Sequence, residues 1–368
     1  MKNAAFFMGK ALEFSSLSIG LSRPNPAVGA VVVRDGLIVG MGRTQIPGSA
    51  HAEVMALRDA GELADGADIY VTLEPCCHYG RTPPCTSAII NAKIKRVFYA
   101  HQDPNPVVRG NSRKILEDAG IEVFETVEAC GGNNPEGVAL FAEVERYFEA
   151  YDYYVRCKRT FVELKSAVTS NFKMANADKS PLKITGEAAN AWNHRLRAIS
   201  DAVLVGASTV LHDNPSLNVR LCNGNSPVRV VMANDTVLPC NRKIFSVLEN
   251  VAEPLKNATQ VIVFSACEQP ELQTFAGHVE VVKLSGKTFC ENWKQVIDTL
   301  SERGMHRLMV EPGAGLAANI FETGLWNRLD LWVSNFDAEG LVYPKIPECK
   351  LVSETKFGND FLKVFENK

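Results

Sequence analysis

The sequence predicts an α/β protein with two domains. Three observations support this prediction: apolar runs of four to eight residues alternate with amphipathic stretches, the 368 residues exceed the usual size of one domain, and hydrophobic residues make up 46% of the chain. Strands that alternate with helices are typical of a layered α/β sheet, and this apolar content is enough for two cores. We expect the first domain to span residues 1–146 and the second residues 147–368.

In the first half, valine-rich or aromatic runs between turn residues predict strands, and stretches that begin near proline or end at glycine predict helices. Arg34-Asp35-Gly36 is a tight-turn signal that predicts a hairpin. In chain order, the predicted elements are helix 4–19, strands 27–33 and 37–42, helix 51–61, strand 68–73, helix 83–92, strand 96–100, helix 111–119, strand 121–124 and a helical segment 126–150 interrupted at 131–135.

The same alternation continues in the second half, which starts near residue 155. Short apolar runs again predict strands, and the longer amphipathic stretches predict helices. In chain order, the predicted elements are strand 162–168, helix 186–198, strands 202–206, 228–232 and 261–264, helix 293–301 and strand 308–310. The second domain is therefore also expected to be α/β.

Charge and composition argue against several classes of protein. The formal net charge is -3 and the isoelectric point is about 6.2, which disfavours a basic nucleic-acid-binding or membrane-surface protein. No apolar run approaches the ~20 residues of a membrane span, and Lys10 and Glu13 interrupt the apolar stretch where a signal-peptide core would lie. The ten cysteines are sparse and have no accompanying export signal, so we expect thiols in a cytoplasmic protein, with neither nucleic acid nor membrane as partner.

Two separate segments carry residues that suit a catalytic zinc site. His51 and Glu53 open one predicted helix, and Cys76 and Cys85 lie in a loop that precedes another. Zinc at a catalytic site takes three protein ligands and leaves a fourth position for water, and His51, Cys76 and Cys85 supply such a set. A glutamate two residues after the histidine can transfer protons without binding the metal. The joint pattern is the signature of zinc-dependent nucleoside and nucleobase deaminases.

Two neighbours of Cys76 leave the choice of ligands open. Cys77 and His78 are both able to bind zinc, and either could replace one of the three proposed ligands. The usual loop geometry places the first thiolate directly after proline, which favours Cys76, and we interpret His78 as a pocket residue. The remaining cysteines show no ligand spacing and are interpreted as structural: Cys130, Cys157, Cys222, Cys240, Cys267, Cys290 and Cys349.

Four segments of the first half resemble the bifunctional riboflavin-biosynthesis deaminase–reductases. They are Arg23-Pro24-Asn25-Pro26-Ala27-Val28-Gly29, His51-Ala52-Glu53-Val54-Met55-Ala56-Leu57, the loop from Glu74 to Cys85, and Gln102-Asp103-Pro104-Asn105-Pro106. The resemblance implies a cytidine-deaminase-like three-layer α/β/α domain followed by a dihydrofolate-reductase-like α/β domain. It also implies Zn²⁺ and NADPH as cofactors, and a homodimer or a larger homo-oligomer.

The resemblance implies a small phosphoribosyl-pyrimidine substrate. The deaminase half would convert 2,5-diamino-6-(5-phosphoribosylamino)pyrimidin-4(3H)-one to 5-amino-6-(5-phosphoribosylamino)uracil, with Glu53 moving the proton and ammonia leaving. Asn25 would hydrogen-bond the substrate. Arg81 would bind its phosphate, since a guanidinium suits phosphate oxygens, although a solvated loop charge is the alternative for Arg81.

In the second half, the same resemblance implies an NADPH-dependent reduction of the ribosyl group to ribityl. The matching segments run from Leu196 to Arg220 and from Glu311 to Leu316. The implied substrate-binding residues are Arg197, Leu217, Arg220 and Glu311, with both arginines on the phosphate. The implied cofactor-binding residues are Ala167, Thr209, Asp213, Asn234, Gly313, Ala314 and Gly315. Glycines at a helix start let backbone N–H groups approach a pyrophosphate.

The second half also departs from the family pattern. Asn171 stands in place of an aspartate, Phe172 in place of a glycine, Lys183 where a tryptophan is expected and Asn234 where serine is common. Phe172 adds a bulky side chain where the backbone needs freedom. Either the reductase is active with a shifted cofactor fit, or the chain is a deaminase with a degenerate second domain.

Two further alternatives belong to other classes. The chain could deaminate a nucleoside or tRNA, but the acidic isoelectric point, the long Cys76–Cys85 loop and the large second domain disfavour this. It could instead be a scaffold with a structural zinc. Glu53 discriminates against the scaffold, because a structural site has no need of a carboxylate beside the metal.

Overall fold

The computed structural model describes residues 3–80, 82–178, 180, 182–256, 259–275 and 277–367. The chain divides into two compact units between Lys158 and Arg159. The boundary expected between residues 146 and 147 falls inside a long helix, Pro135–Cys157, which continues beyond the predicted end at residue 150. In the described residues, no helix combines the length and the apolar character needed to cross a membrane.

The first unit follows the predicted order of elements closely. Its strands and helices, in chain order, are α1 (Ala4–Ser15), β1 (Gly29–Arg34), β2 (Leu37–Arg43), α2 (Ala52–Ala60), β3 (Asp68–Leu73), α3 (Cys85–Asn91), β4 (Arg96–His101), α4 (Asn111–Asp118), β5 (Glu122–Glu125), α5 (Thr126–Ala129) and α6 (Pro135–Cys157). The predicted hairpin turn is present, with Asp35 and Gly36 both at positive φ, as a type I′ turn requires.

One five-stranded sheet organises the first unit, in the order β2-β1-β3-β4-β5. β1 is antiparallel to β2 and β3, whereas β3, β4 and β5 are parallel. Helices α1, α5 and α6 contact one another, and α2, α3 and α4 form a second contacting group. This arrangement is the predicted three-layer α/β/α domain. The carboxyl ends of β3 and β4 lie at the same edge of the sheet, where ligands bind in α/β folds.

The second unit contains the remaining elements. In chain order they are β6 (Phe161–Val168), β7 (Lys173–Ala175), α7 (Glu187–Ala198), β8 (Ala202–Gly206), α8 (Ala207–Asp213), β9 (Val228–Asn234), α9 (Glu253–Lys256), β10 (Val261–Ser265), β11 (Val279–Lys283), α10 (Phe289–Glu302), β12 (Arg307–Val310), α11 (Ala314–Thr323), β13 (Arg328–Val333), β14 (Leu341–Val342), β15 (Lys350–Phe357) and β16 (Asp360–Glu366).

A nine-stranded sheet forms the centre of the second unit, in the order β11-β10-β9-β8-β12-β6-β13-β16-β15. The strands from β11 to β13 are parallel, and β16 and β15 add an antiparallel edge. Large apolar clusters pack within this unit, separate from the core of the first unit. β7 and β14 pair in a small second sheet.

The sequence pattern missed several elements of the second unit. The sequence pattern did not predict strands β7, β11, β13, β14, β15 and β16 or helices α8 and α9. For β15 the reason is that Lys350–Lys356 are all exposed, so the strand has no apolar face to reveal it. Its stability comes from pairing with β16, which is a tertiary contact. Local periodicity detects strands that face a core, and an exposed edge strand gives no such signal.

Candidate active sites

Three zinc-type side chains converge in the first unit. His51 immediately precedes α2 in an extended conformation, Cys76 lies three residues beyond the end of β3, and Cys85 is the first residue of α3. Two helix starts and one strand end therefore bring together residues that are far apart in the chain. Each helix start also presents the positive end of its dipole, which favours thiolate anions.

The three ligand atoms lie within 4.8 Å of one another. His51 Nδ1 is 3.5 Å from the Cys76 sulfur and 3.3 Å from the Cys85 sulfur. One imidazole nitrogen and two sulfurs form a donor set that suits zinc. Among the described residues, this is the one group of three or more His, Cys, Asp or Glu side chains that could hold a metal ion. Cys77 lies outside it, with its sulfur 3.6 Å from the Val107 carbonyl oxygen.

Hydrogen bonds make Cys76 the more acidic of the two thiols. The Cys85 thiol donates to the Cys76 sulfur, and together with His51 and the Cys85 backbone N–H it lowers the pKa of Cys76 to about 4. The Cys85 N–H lies 3.3 Å from that sulfur. Cys76 is therefore a thiolate at neutral pH, the form that binds a metal.

Glu53 is buried beside the cluster, with 4% of its surface exposed. It lies in the first turn of α2, where the helix dipole favours a negative charge. Burial is the main cause that raises the pKa of its carboxyl to about 7. A carboxyl group with a pKa near neutrality is able to accept a proton and to release it again, as general acid–base catalysis requires.

A cavity of 370 Å³ joins these groups to other polar side chains. Asn25 and His78 line it, as the sequence predicted for a pocket, and so do Asp103, Asn105 and Tyr151. Arg81 lies outside the described residues. Asp103 and Asn105 appeared in the sequence only as part of a matching segment, and Tyr151 was expected to be a packing residue in an aromatic cluster rather than a pocket residue.

Glu74 supports the chain segment after β4, which forms one wall of this cavity. It is 2% exposed and accepts hydrogen bonds from the Ser112 hydroxyl at 2.6 Å, the Gly110 N–H at 2.8 Å and the Asp103 N–H at 3.4 Å. Sequence reasoning missed this role. The available signal was that polar residues, Glu74 and Asp103, follow the neighbouring parallel strands β3 and β4.

In the second unit, Arg197 of α7 is paired with Glu311. Its guanidinium donates to both carboxylate oxygens, at 2.7 Å and 2.9 Å, and to the Asn218 carbonyl at 3.1 Å. Burial raises the pKa of Glu311, but the charge and hydrogen bonds of Arg197 outweigh it and hold the pKa below its usual value. These contacts use three of the five N–H donors of the guanidinium, and Arg197 stays a predicted phosphate ligand. Arg220 is exposed and donates to Asn218 Oδ1 at 2.9 Å.

Lys165 interacts electrostatically with the pair of Arg197 and Glu311 and was not expected from the sequence to do so. It lies in β6 opposite Asp330 of β13, and the charges of Glu311, Arg197 and Asp330 act on it. Burial lowers the pKa of Lys165 from its usual value. The available signal was the presence of two charged residues, Glu163 and Lys165, inside the predicted strand 162–168.

The predicted cofactor residues lie on several elements of the second unit. Gly313 precedes α11, which begins without a side-chain cap, and a Cβ added at Gly315 would meet nothing within 4 Å. The helix start therefore has no side-chain cap and has room beside Gly315, and an uncapped helix N-terminus suits a phosphate. A Cβ added at Gly313 would lie 3.9 Å from the hydroxyl of Thr209 in α8.

The other predicted residues are positioned by the ends of their elements. Ala167 lies near the carboxyl end of β6, and Asp213 is the exposed last residue of α8. Asn234 ends β9 with φ at 49°, a conformation that asparagine tolerates. Leu217, the predicted substrate contact, is buried and has φ at 52°.

Comparisons with known proteins cover both units. The model of the cytidine and deoxycytidylate deaminase zinc-binding region matches residues 1–101. The model of the RibD C-terminal domain matches residues 160–336. The two matches follow each other along the chain, in the order in which the two candidate sites occur.

Relatives and solved structures match along nearly the whole chain. Riboflavin biosynthesis protein RibD of Aquifex aeolicus (strain VF5) is 37% identical over 329 residues, which are 89% of this chain and 86% of the relative. RibD of Bacillus amyloliquefaciens is 36% identical over 342 residues, covering 93% and 87%. The crystal structure of a diaminohydroxyphosphoribosylaminopyrimidine deaminase/5-amino-6-(5-phosphoribosylamino)uracil reductase from Thermotoga maritima has a TM-score of 0.74 at 34% identity and covers 99% of both chains.

A second solved structure, RibD of Acinetobacter baumannii, has a TM-score of 0.70 at 30% identity and covers 100% of this chain and 99% of its own. These identities and coverages, which span both halves, show the family and agree with the resemblance found in the sequence. The chain belongs to the RibD family of riboflavin-biosynthesis proteins, bifunctional enzymes that join a zinc-dependent deaminase to a reductase.

Proposed function

We propose that this chain deaminates 2,5-diamino-6-(5-phosphoribosylamino)pyrimidin-4(3H)-one and then reduces the ribosyl group of the resulting 5-amino-6-(5-phosphoribosylamino)uracil. The name of the Thermotoga maritima relative supports these two reactions. The observation that carries the deaminase half is that the buried Glu53 lies in the same cavity as His51 and Cys76. The Cys85 sulfur lies within 4.8 Å of the ligand atoms of His51 and Cys76.

His51, Cys76 and Cys85 would hold Zn²⁺, since their ligand atoms already lie within 4.8 Å of one another. When bound, zinc supplies a Lewis acid that makes water nucleophilic at neutral pH. Glu53 accepts a proton from the attacking water and passes it to the 2-amino group, so that the carbon–nitrogen bond breaks and ammonia leaves. Its burial excludes bulk water from this proton transfer.

The remaining polar groups of the cavity would orient the pyrimidine. Asn25, Asp103 and Asn105 line it and offer both donors and acceptors to the ring edges. Arg81 stays a predicted phosphate ligand, and so does Arg220. Arg197, which is paired with Glu311, likewise stays a predicted phosphate ligand of the second substrate.

For the second reaction, NADPH would supply a hydride to the sugar carbon. The open first turn of α11, with Gly313, Ala314 and Gly315, would receive a phosphate of the cofactor. Ala167, Thr209, Asp213 and Asn234 remain its proposed further contacts. We also infer a homodimer and a cytoplasmic location, which rest on the family resemblance and the composition.

The test of the deaminase half is ammonia release from the diaminopyrimidinone phosphate, measured for the wild-type protein and for Glu53→Gln. The substitution keeps the shape of the side chain and removes its acid–base function, so the rate should fall by about 10²–10⁴-fold while bound zinc is unchanged. Glu62→Gln, on an exposed residue beyond α2, is the matched control. Deamination that survives in Glu53→Gln would overturn the proposed mechanism.

The test of the reductase half is NADPH oxidation with the deaminated intermediate supplied directly. Oxidation above background, with a product two hydrogens heavier by mass analysis, supports an active second unit. Background oxidation alone would instead support a deaminase with a degenerate reductase domain.

A further inference from the structure

His101 forms an ionic link between the sheet and a helix of the deaminase unit. It is the last residue of β4 and is 7% exposed. Its Nδ1 lies 2.8 Å from a Glu145 oxygen, and its Nε2 lies 3.0 Å and 3.1 Å from the two oxygens of Asp152. Both carboxylates belong to α6, and the imidazole ring stacks on Phe148 of the same helix at 5.0 Å.

The chemistry of these contacts defines the charge of His101. Carboxylates only accept hydrogen bonds, so both ring nitrogens must donate, and only the protonated imidazole has two donors. Burial lowers the pKa of His101, but Asp152 and Glu145 outweigh it and raise the pKa to about 9. The link is therefore a cation held between two anions at neutral pH.

The same strand end and the same helix both contribute to the cavity wall. Asp103, two residues after His101, lines the cavity, and so does Tyr151, the neighbour of Asp152. Burial and the charges of Asp103 and Asp152 raise the pKa of the Tyr151 hydroxyl, and a side-chain hydrogen bond to Asp103 contributes to this shift. The contact between His101 and Asp152 thus lies directly beside the contact between Asp103 and Tyr151.

We propose that His101 is a positioning residue for deamination: by bridging Glu145 and Asp152 it holds Tyr151 against Asp103 and so sets the substrate-binding wall of the cavity. The inference rests on the proposed deaminase function. His101 does not line the cavity itself, so it acts on substrate binding through Tyr151.

The fold of the unit has other means of holding α6. Val144 and Phe148 of this helix are buried in the core. Loss of the imidazole would also leave no fully buried charge, because the side chains of Glu145 and Asp152 are 47% and 25% exposed. A substitution at His101 is therefore expected to change the cavity wall and to leave the unit folded.

The experiment compares ammonia release by four test variants and one control variant with that of the wild type. His101→Gln and Asp152→Asn each break the link, one from the strand and one from the helix. Each should raise KM for the diaminopyrimidinone phosphate about tenfold, as for the loss of one charged hydrogen bond, with kcat changed less than about twofold. Tyr151→Phe, alone and combined with His101→Gln, tests whether His101 affects substrate binding through Tyr151.

The double variant should show the KM of Tyr151→Phe alone, because His101 acts through Tyr151. Arg96→Gln is the matched control, since Arg96 lies at the other end of β4, pairs with Asp68 at 2.6 Å and lies away from the cavity. Its KM should be that of the wild type. Bound zinc and NADPH oxidation with the deaminated intermediate should be unchanged throughout.

Three outcomes would overturn the inference. They are an unchanged KM in folded, zinc-loaded His101→Gln and Asp152→Asn, an equal rise of KM in Arg96→Gln, and full additivity with Tyr151→Phe. If His101→Gln does not fold, Asp152→Asn and its combination with Tyr151→Phe decide the question. Absence of ammonia release by the wild-type protein would contradict the proposed deaminase itself, whereas wild-type activity with unaltered variants contradicts the positioning role alone.

Discussion

Phe172 adopts a backbone conformation that L-residues rarely take. Its φ is 60°, in the left-handed region. Because 42% of the residue is exposed, burial of the side chain offsets only part of the backbone strain. The sequence already indicated an unusual residue at this position, because the resemblance to the family implies a glycine there. The left-handed conformation costs roughly 1–2 kcal/mol for a residue with a Cβ.

Phe172→Gly is therefore expected to raise the free energy of unfolding of the second unit by about 1 kcal/mol. Phe172→Ala keeps the Cβ and the strain, and should bring no gain. Urea denaturation followed by tryptophan fluorescence measures this unit alone, since all four tryptophans lie in it, at residues 192, 293, 326 and 332. A gain in the alanine variant as large as that in the glycine variant would contradict the explanation.

Asn171 shows a limit of sequence reasoning at the same scale. The sequence indicated only that a charge is missing relative to the family. In the structure, the Asn171 side chain donates to the Ala338 carbonyl at 2.9 Å and accepts from the Ala338 N–H at 3.2 Å. An aspartate has no donor for that carbonyl, so the amide fits this two-way contact between segments far apart in the chain.

At the scale of elements, β2 and α2 approach each other very closely. A Cβ added at Gly42 would lie 2.0 Å from the Ala52 carbonyl oxygen and 2.3 Å from the Ala56 nitrogen. Both atoms belong to the backbone of α2, which cannot move without moving its N-terminus. That N-terminus carries His51 and Glu53.

Gly42→Ala should therefore displace α2 and lower both bound zinc and the rate of ammonia release. Gly9→Ala is the matched control, because Gly9 lies inside α1 and an added Cβ meets nothing within 4 Å. That control should leave the site intact and stabilise the helix by roughly 0.5–1 kcal/mol. Metal analysis of the purified variants is the measurement, and a full zinc complement in Gly42→Ala would show that the close packing is not needed to place His51.

At the scale of the whole molecule, the two candidate sites draw on different units. The zinc-type cluster and its cavity are formed by residues below 158, and the paired Arg197 and Glu311 belong to the second unit. Each unit has its own apolar core. The folding of one core therefore does not require the metal of the other unit.

Removal of zinc by a chelator should abolish ammonia release and leave NADPH oxidation with the deaminated intermediate unchanged, because no predicted zinc ligand lies in the second unit. Added Zn²⁺ should restore deamination. The two rates are measured on one preparation before chelation, after it and after zinc is returned. A parallel loss of both activities would contradict the independence of the sites.

Much of the fold and part of the deaminase site could be predicted from the sequence because their signals are local. Hydrophobic periodicity, turn residues and helix caps lie within a few residues of the elements that they specify. They placed most elements of the first unit, and put His51 and Glu53 at a helix start and Cys76 and Cys85 around a loop. The exposed strand β15 has no such signal, and its edge of the sheet was missed.

The tertiary structure alone decided which distant side chains meet. It brought Cys76 within 3.5 Å of His51, closed a cavity with Asp103 and Tyr151, and paired Arg197 with Glu311 across 114 positions of sequence. Such contacts between distant residues depend on strand order and on the direction in which each helix leaves the sheet. They are set by packing over the whole unit, and no local stretch of sequence contains that information.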